Sequence, residues 1–553
     1  MADVAASTSV EVQPSLGMEP RSTVGAVLVV GGGVSGIQAS LDLAQSGFKV
    51  YLVEESPSIG GRMAQLDKTF PTNECSMCIL SPKLIDCERN PNIEIITMAQ
   101  VDEVAGEAGN FTATLLKRPR FVNEEECTGC GTCADYCPLL VADAFNERLS
   151  EAKCIHVPFA QAVPAVSVVD AERCLFLTQR QCKICAQTCR RKAIDMRQSE
   201  ETVEINVGAI ILAPGYQPFD AKQKPEYGYG RHANVLTGLE VERMLNAAGP
   251  SGGEVVRPSD GRPARNIAWI QCVGSRDAAL GRPYCSAVCC MYAAKQLTMA
   301  REHDPDLKAT VFHNDVRTYG KGFEQYYRQV SQMPGVRYIR SMPSSVKEMQ
   351  QTSNLLIRHW SEDDAAREEE FDLVVLSVGM TPSPNTLELA NKLGVEVDEH
   401  GFCRTSLFSP VSTSRPGVFV AGVFAGPADI PDSVTRACAA ASLSAQILSG
   451  VRGSLTTEKE YPPEKDVLGE RARIGVFVCR CGTNIGRVVD VPSVVRHARN
   501  LPNVVHAEEN LFSCSVDSSR RIVEAIEEMG LNRIVVAACT PRTHEPLFQD
   551  TIR

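Results

Sequence analysis

The sequence predicts an α/β chain of two dinucleotide-binding domains, the first interrupted by an iron-sulfur insert, with a cysteine-bearing α/β domain at the C-terminal end. Three observations predict it. An apolar run, Ala26 to Val30, leads into Gly31-Gly32-Gly33-Val34-Ser35-Gly36, a G-x-G-x-x-G in the strand, turn and helix setting that such a fingerprint needs. Cys127, Cys130, Cys133 and Cys137, followed by Pro138, repeat the bacterial ferredoxin spacing. Beyond residue 471, three strand-like runs each end in cysteine.

At 553 residues the chain is long enough for three or four domains. Its net charge of -11, from 56 basic and 67 acidic residues without a long basic block, argues against nucleic acid or an anionic membrane as a main partner. The 22 cysteines fall in tight clusters, which points to metal ligation in a reducing cytoplasm rather than to a disulfide scaffold. Residues 1–24 lack the basic and apolar regions of a signal peptide and are expected to be a disordered tail. No apolar run approaches the ~20 residues that span a bilayer.

The first domain is expected over 25–119 and 201–264. Gly31 makes the tight turn, Gly33 lets backbone approach a pyrophosphate, and Gly36 packs the helix Ile37 to Gln45 on the strand. A second strand, Lys49 to Val53, ends in Glu54, 18 residues beyond Gly36, where a carboxylate accepts a ribose hydroxyl. The following segment, with Gly60, Gly61 and Arg62, resembles the acid-then-Gly-Gly element that distinguishes FAD-binding domains from plain NAD domains. Cys75 and Cys78 form a C-x-x-C that is open to three readings: a redox dithiol, part of a metal site, or structure. Cys87 reads as core.

Residues 120–200 form the insert. In the two-cluster ferredoxin pattern the fourth cysteine of each run ligates the other cube. The partner run is Cys174, Cys182, Cys185 and Cys189, with a widened first gap and Arg190 in place of proline. One 4Fe-4S cube then takes Cys127, Cys130, Cys133 and Cys189, and the other takes Cys174, Cys182, Cys185 and Cys137. Zinc is the competing reading, and Cys154 lies outside both patterns as a buried apolar residue.

After the insert, Val203 to Leu212 reads as one strand, closed by Ala213-Pro214-Gly215. The run with Glu240, Glu242 and Arg243 reads as a solvated helix face. A second nucleotide-type domain is expected over 265–372. Its first strand ends in Cys272-Val273-Gly274-Ser275-Arg276, with one glycine where a phosphate cradle needs three, so pyridine-nucleotide binding there is doubtful. Cys272, Cys285, Cys289 and Cys290 either hold a 4Fe-4S cluster at a helix start or are buried free thiols. Residues 373–450 return to the FAD domain, through a strand Val374 to Gly379 and the turn from Gly417 to Gly426, with Gly422 and Gly426 at the cofactor. Asp432 is the expected N-cap of the helix Ser433 to Leu448, and Cys403 and Cys438 read as structural. A linker at 451–471 precedes the domain 472–553. If its three strands are parallel, Cys479, Cys481, Cys514 and Cys539 share one sheet edge and form a possible cluster site. No closing helix pattern follows Cys539, so this domain reads as truncated.

The chain resembles the heterodisulfide reductase A-type subunits, a thioredoxin-reductase-like flavoprotein family of methanogenic archaea and anaerobic bacteria. The resemblance runs from Ala26 to about Gly450 and rests on GGGVSGIQASLDLA, GGRMAQLDKTFPTNECSMCIL, the insert, EYGYGRHANVLTGLE, CVGSRD with YCSAVCCMYAAK, GKGFEQ and AGPADIPDSV. The order of parts differs: the segment resembling the family's leading cysteine domain here follows the FAD unit, as in a tandem fusion. The resemblance implies FAD, 4Fe-4S clusters and flavin-based electron bifurcation between a two-electron donor, ferredoxin and a disulfide acceptor. It assigns Cys272, Cys285, Cys289 and Cys290 to a cluster beside the flavin and puts Lys295 near the flavin ring, with Glu242 as its ion-pair partner. The implied partners are other subunits of such a complex, a hydrogenase- or formate dehydrogenase-type donor, and ferredoxin. The alternatives are an NAD(P)H-dependent disulfide reductase working through Cys75 and Cys78, and an electron-relay subunit that turns over nothing alone.

Overall fold

The computed structural model describes residues 23–361, 363, 365–482 and 484–553. The expected tail lies, except for residues 23 and 24, outside the described residues.

The first sheet is parallel, in the order 418–420, 209–212, 26–30, 49–54, 93–97. Ala26–Val30 and Ala209–Leu212 are buried at every position. Such unbroken apolar runs are what a sheet covered on both faces requires. The helix after the first strand is Val34–Gln45, three residues longer at its start than expected, with Gly33 as N-cap.

The single strand expected at Val203 to Leu212 is two strands in different sheets. Glu201–Val207 pairs antiparallel with Asn110–Lys117, whereas Ala209–Leu212 joins the first sheet. The break falls at Gly208, where a Cβ would lie 2.4 Å from both Leu448 Cδ2 and the Val24 carbonyl. Only glycine lets the chain pass from one sheet to the other there.

The second sheet is also parallel, in the order 235–237, 373–378, 266–273, 308–312, 336–339. It reaches beyond the expected boundaries of 265–372 on both sides. Leu373–Val378, expected to return to the FAD domain, is instead a central strand here, buried at all six positions. Val235–Thr237 and Asn266–Val273 pair with its two edges, and side chains buried on both faces are what a sheet covered on both sides requires. The return to the first sheet comes at Val418–Val420.

The helix after that strand runs Ile430–Ile447 with Asp429 as N-cap, its carboxylate accepting from the Asp432 amide at 2.8 Å. The cap therefore stands three residues before the expected Asp432, because Pro431 fits the first helical turn, where no N–H is required.

The insert closes on itself through the Val122–Ile194 bridge and has its own small core. In the C-terminal domain, Ile474–Cys479 lies between Val504–Asn510 and Arg533–Ala537, all parallel as expected. A helix, Pro541–Ile552, follows the last of these strands, contrary to the expectation that no helix pattern follows Cys539. Pro541 and Pro546 mask the pattern, although a proline in the first turn favours a helix start. Among the described residues no helix is long and apolar enough to cross a membrane.

Candidate functional site

A cavity of about 640 Å³ opens at the carboxyl ends of the first sheet and extends toward the second. Of the residues expected at the cofactor, Gly31, Gly33, Glu54, Gly61, Arg62, Gly215 and Gly422 line it. Gly36, Gly60 and Gly426 are not on its wall. A Cβ on Gly36 would fall 1.8 Å from the Gly31 carbonyl, so that glycine serves the close packing of helix on turn. Gly60, at φ 129°, donates its N–H to the Gly32 carbonyl at 2.7 Å. Gly426 turns away at φ 123°, its carbonyl accepting from Arg436.

The cradle fits FAD in two respects. A Cβ built on Gly33 meets no atom within 4 Å, which leaves open space at the N-terminus of Val34–Gln45, where a pyrophosphate is favoured. The Glu54 carboxylate is fixed by the amides of Gly32 at 2.6 Å and Ser56 at 2.8 Å. Its remaining acceptor sites, of about four in all, are free for a ribose diol.

One wall comes from the second domain. Thr237 and Glu240 form a capping box at the start of the helix Gly238–Leu245, and every residue of this helix is buried. The solvated face expected for Glu240, Glu242 and Arg243 is therefore absent. Arg243 lies 4.7 Å from the Phe145 ring centroid and donates to the Gln65 carbonyl. Glu242 lines the cavity. Its carboxylate accepts from Lys295 Nζ, from Gln296 Nε2 at 2.7 Å and from the Asp67 amide at 3.0 Å. Lys295 is 1% exposed and is not on the cavity wall, which it reaches through Glu242. Burial pushes the Asp67 carboxyl up to about 7, against the pull of Lys295.

The four cysteines from 272 to 290 come together next to this wall. Burial raises the Cys289 thiol well above its ordinary value, with Cys290, Cys272 and Cys285 adding to the effect, and burial also lifts Cys290 to about 11. Cys289 and Cys290 open the helix Cys289–His303, as expected. The Cys289 thiol points at the Val378 carbonyl at 3.7 Å, and Val378 itself lines the cavity.

In the insert, Cys137, Cys174, Cys182 and Cys185 line one small apolar cavity, the set that the crossing rule assigns to one cube. Cys154 lines it too. Its thiol is pushed to about 12, by burial first and then by Cys174 and Cys137. Cys133 is raised by burial, with smaller contributions from Cys127 and Cys130, and Cys189 packs against the same core. In the C-terminal domain, Cys479 and Cys539 are lowered to about 6 and about 5, both chiefly by hydrogen bonds from Cys481, whose own thiol is raised. Cys514, pushed to about 12 by burial, is within the influence of Cys479 and Cys539. Among the described residues no three His, Cys, Asp or Glu side chains converge tightly enough to hold a single metal ion. Zinc requires sulfurs about 2.3 Å from one centre, whereas a four-iron cube takes its four thiolates at separate corners.

Cys75 and Cys78 are joined as a disulfide. Cys75 is the N-cap of the helix Ser76–Arg89, and neither cysteine lines the large cavity. Sequence reasoning missed Asp67, Tyr292 and Gln296, whereas Cys154 is buried in the insert's core as expected. Helical spacing offered a signal for two of them, since Tyr292 and Gln296 follow Cys289 by three and seven residues and fall on one helix face.

The model of the family described as pyridine nucleotide-disulphide oxidoreductase matches residues 25–441. The chain is 48% identical over 420 residues to the iron-sulfur A-type subunit of the CoB--CoM heterodisulfide reductase of Methanocaldococcus jannaschii, covering 75% of this chain and 63% of the relative. It is 45% identical over 436 residues to the A-type subunit of the H(2):CoB-CoM heterodisulfide,ferredoxin reductase of Methanothermobacter marburgensis, covering 78% and 65%. It is 46% identical over 420 residues to the A-type subunit of the H(2)/formate:CoB-CoM heterodisulfide,ferredoxin reductase of Methanococcus maripaludis, covering 75% and 63%. The chain thus spans less than two thirds of the length of these relatives.

Proposed function

Because the chain belongs to the pyridine nucleotide-disulphide oxidoreductase family and, within it, to the heterodisulfide reductase A-type subunits, we propose that it is the FAD and iron-sulfur electron-transfer subunit of a heterodisulfide reductase-type complex. One observation carries this reading: a four-cysteine knot lies a single carbonyl, that of Val378, from a glycine-lined dinucleotide cavity. FAD, when bound, would supply the exchange between two-electron and one-electron chemistry.

The chain's residues set the conditions for that exchange. Gly31, Gly33 and Glu54 would bind the dinucleotide. Gly61, Arg62, Gly215 and Gly422 would shape the walls around it. Glu242, held by Lys295, Gln296 and the Asp67 amide, places a fixed and neutralised charge on the cavity wall, where electrostatics can tune a redox group. Cys272, Cys285, Cys289 and Cys290 would hold one 4Fe-4S cluster. The insert would hold two more, one through Cys127, Cys130, Cys133 and Cys189 and the other through Cys174, Cys182, Cys185 and Cys137. Cys479, Cys481, Cys514 and Cys539 would hold a fourth.

In this reading the protein works in the cytoplasm. It bifurcates electron pairs from a hydrogenase- or formate dehydrogenase-type donor between ferredoxin and a disulfide-reducing partner, a reading supported by relatives whose descriptions name H(2) or formate, a CoB-CoM heterodisulfide and ferredoxin. A disulfide reductase acting through Cys75 and Cys78 is less well supported, because neither cysteine is on the cavity wall. The test is iron and acid-labile sulfide per FAD in anaerobically purified protein. About four clusters, or about sixteen irons, are expected, and two clusters would defeat the assignments at Cys272 to Cys290 and at Cys479 to Cys539.

A further inference from the structure

One side chain belongs to both halves of the proposed site. The ring of Tyr292 lines the large cavity, and its hydroxyl donates to the Val378 carbonyl at 3.2 Å. The Cys289 thiol points at that same oxygen at 3.7 Å. The phenol oxygen and the Cys289 sulfur thus share one acceptor. Cys289 and Tyr292 are separated by three residues on one helix, so the backbone fixes their juxtaposition. The ring is held from the other side by Gly238, where a Cβ would come within 2.8 Å of Tyr292 Cε2.

A thiolate bound to iron carries no proton and has nothing to donate to Val378. The phenol carries a single proton, so it must turn from the Val378 carbonyl to reach the sulfur, which is the more strongly charged acceptor once it is a thiolate. Hydrogen bonds to cluster sulfurs stabilise the reduced, more negative state and raise the potential. We propose that Tyr292 is a positioning residue that sets the potential of the Cys272 to Cys290 cluster from the flavin side, through its hydroxyl at Cys289. The inference rests on the cofactor assignment above, since it needs a cluster at the knot.

The test uses the full-length holoprotein and an EPR-monitored redox titration. Tyr292→Phe keeps the ring and removes the hydroxyl. A hydrogen bond to a charged partner is worth about 1.5 kcal/mol or more, so the electron-sharing constant between cluster and mediator should fall about 10-fold, which is about 59 mV for one electron. FAD and iron content should stay unchanged. Gly238→Ala, which displaces the ring without altering its chemistry, should move the same signal in the same direction. If the cluster is present and neither variant shifts its potential, the role given to Tyr292 is wrong while the cofactor assignment stands. If Cys289→Ala combined with Cys290→Ala leaves the iron content untouched, the knot holds no cluster, and the assignment and the inference fall together.

Discussion

The Glu242–Lys295 pair shows how far a single side chain can act from where it sits. Both groups are nearly fully buried, at 2% and 1% exposed, so each charge depends on the other. Removing one partner leaves an uncompensated buried charge, at a cost of about 3–5 kcal/mol. Lys295→Met should therefore lower the midpoint of chemical denaturation sharply. The double variant Lys295→Met with Glu242→Gln should recover most of the loss, and a double variant no more stable than the single one would show that the pair is not coupled. Asp67 carries the pH dependence. Its folded value of about 7 lies above the ordinary 3.8, so the folded state binds the proton more tightly. Its stabilising contribution is complete below about pH 4 and is lost as the pH rises through 7. Asp67→Asn should gain on the parent protein across that window in urea denaturation series, and parallel curves would refute the assignment. The sequence made Lys295 and Glu242 visible as candidates. It could not show Asp67, because its link to Glu242 is a backbone amide that no side-chain pattern records.

At the scale of elements, the turn from the first strand into the first helix divides fold from binding within three residues. Gly31 has φ 105°, and a Cβ on it would fall 2.1 Å from the Ala213 carbonyl. Gly33 has open space around it. Gly31→Ala should thus destabilise the domain itself, by more than the ~1 kcal/mol of an ordinary helix or strand glycine. Gly33→Ala should leave the melting of the apoprotein unchanged and weaken FAD retention by about 10-fold or more, since a methyl group would occupy the approach to a pyrophosphate. Equal effects from the two variants, read by thermal denaturation and by FAD titration, would contradict this division. The glycine spacing and the strand of this turn were legible because they are local, whereas its helix begins at Val34, three residues before the expected start. The strands Val235–Thr237 and Leu373–Val378 were not. An all-apolar run shows that a strand is buried but not which sheet buries it, and its partner Asn266–Val273 is over a hundred residues away from the second of them. The Asp429 cap and the Pro541–Ile552 helix were obscured in a similar way by prolines that read as breakers and serve as helix starts.

For the molecule as a whole, the C-terminal domain is not an appendage on its linker. Ser81 Oγ donates to the Cys514 carbonyl at 2.6 Å, Arg89 pairs with Asp550 at 3.3 Å, and Arg520 Nη2 donates to the Thr128 carbonyl at 2.7 Å. The last contact lies between Cys127 and Cys130, so the domain touches the insert where one proposed cluster would sit. None of this was legible in the sequence, since the four cysteines announce a site but not the surface against which it docks. These polar contacts are partly exposed and each contributes about 1 kcal/mol or less, and the apolar packing beside them is small, with Val516 against the core of the first domain. The domain should therefore open by local detachment well before the flavin fold unfolds. The stretch from Arg452 to Arg473, which has no helix or strand and is largely exposed, would then lose the fixed backbone that its tie to Asn92 gives it and be cut in proportion to the open population. Arg520→Glu removes the donor at Thr128 and places a second negative charge near Glu88, which Arg520 now offsets. Tryptic cleavage in this stretch should accelerate by about 5-fold, the equivalent of about 1 kcal/mol, while FAD stays bound. Cleavage at the parent rate would mean that the domain is held by its seat on the Ser76–Arg89 helix and not by its contact with the insert.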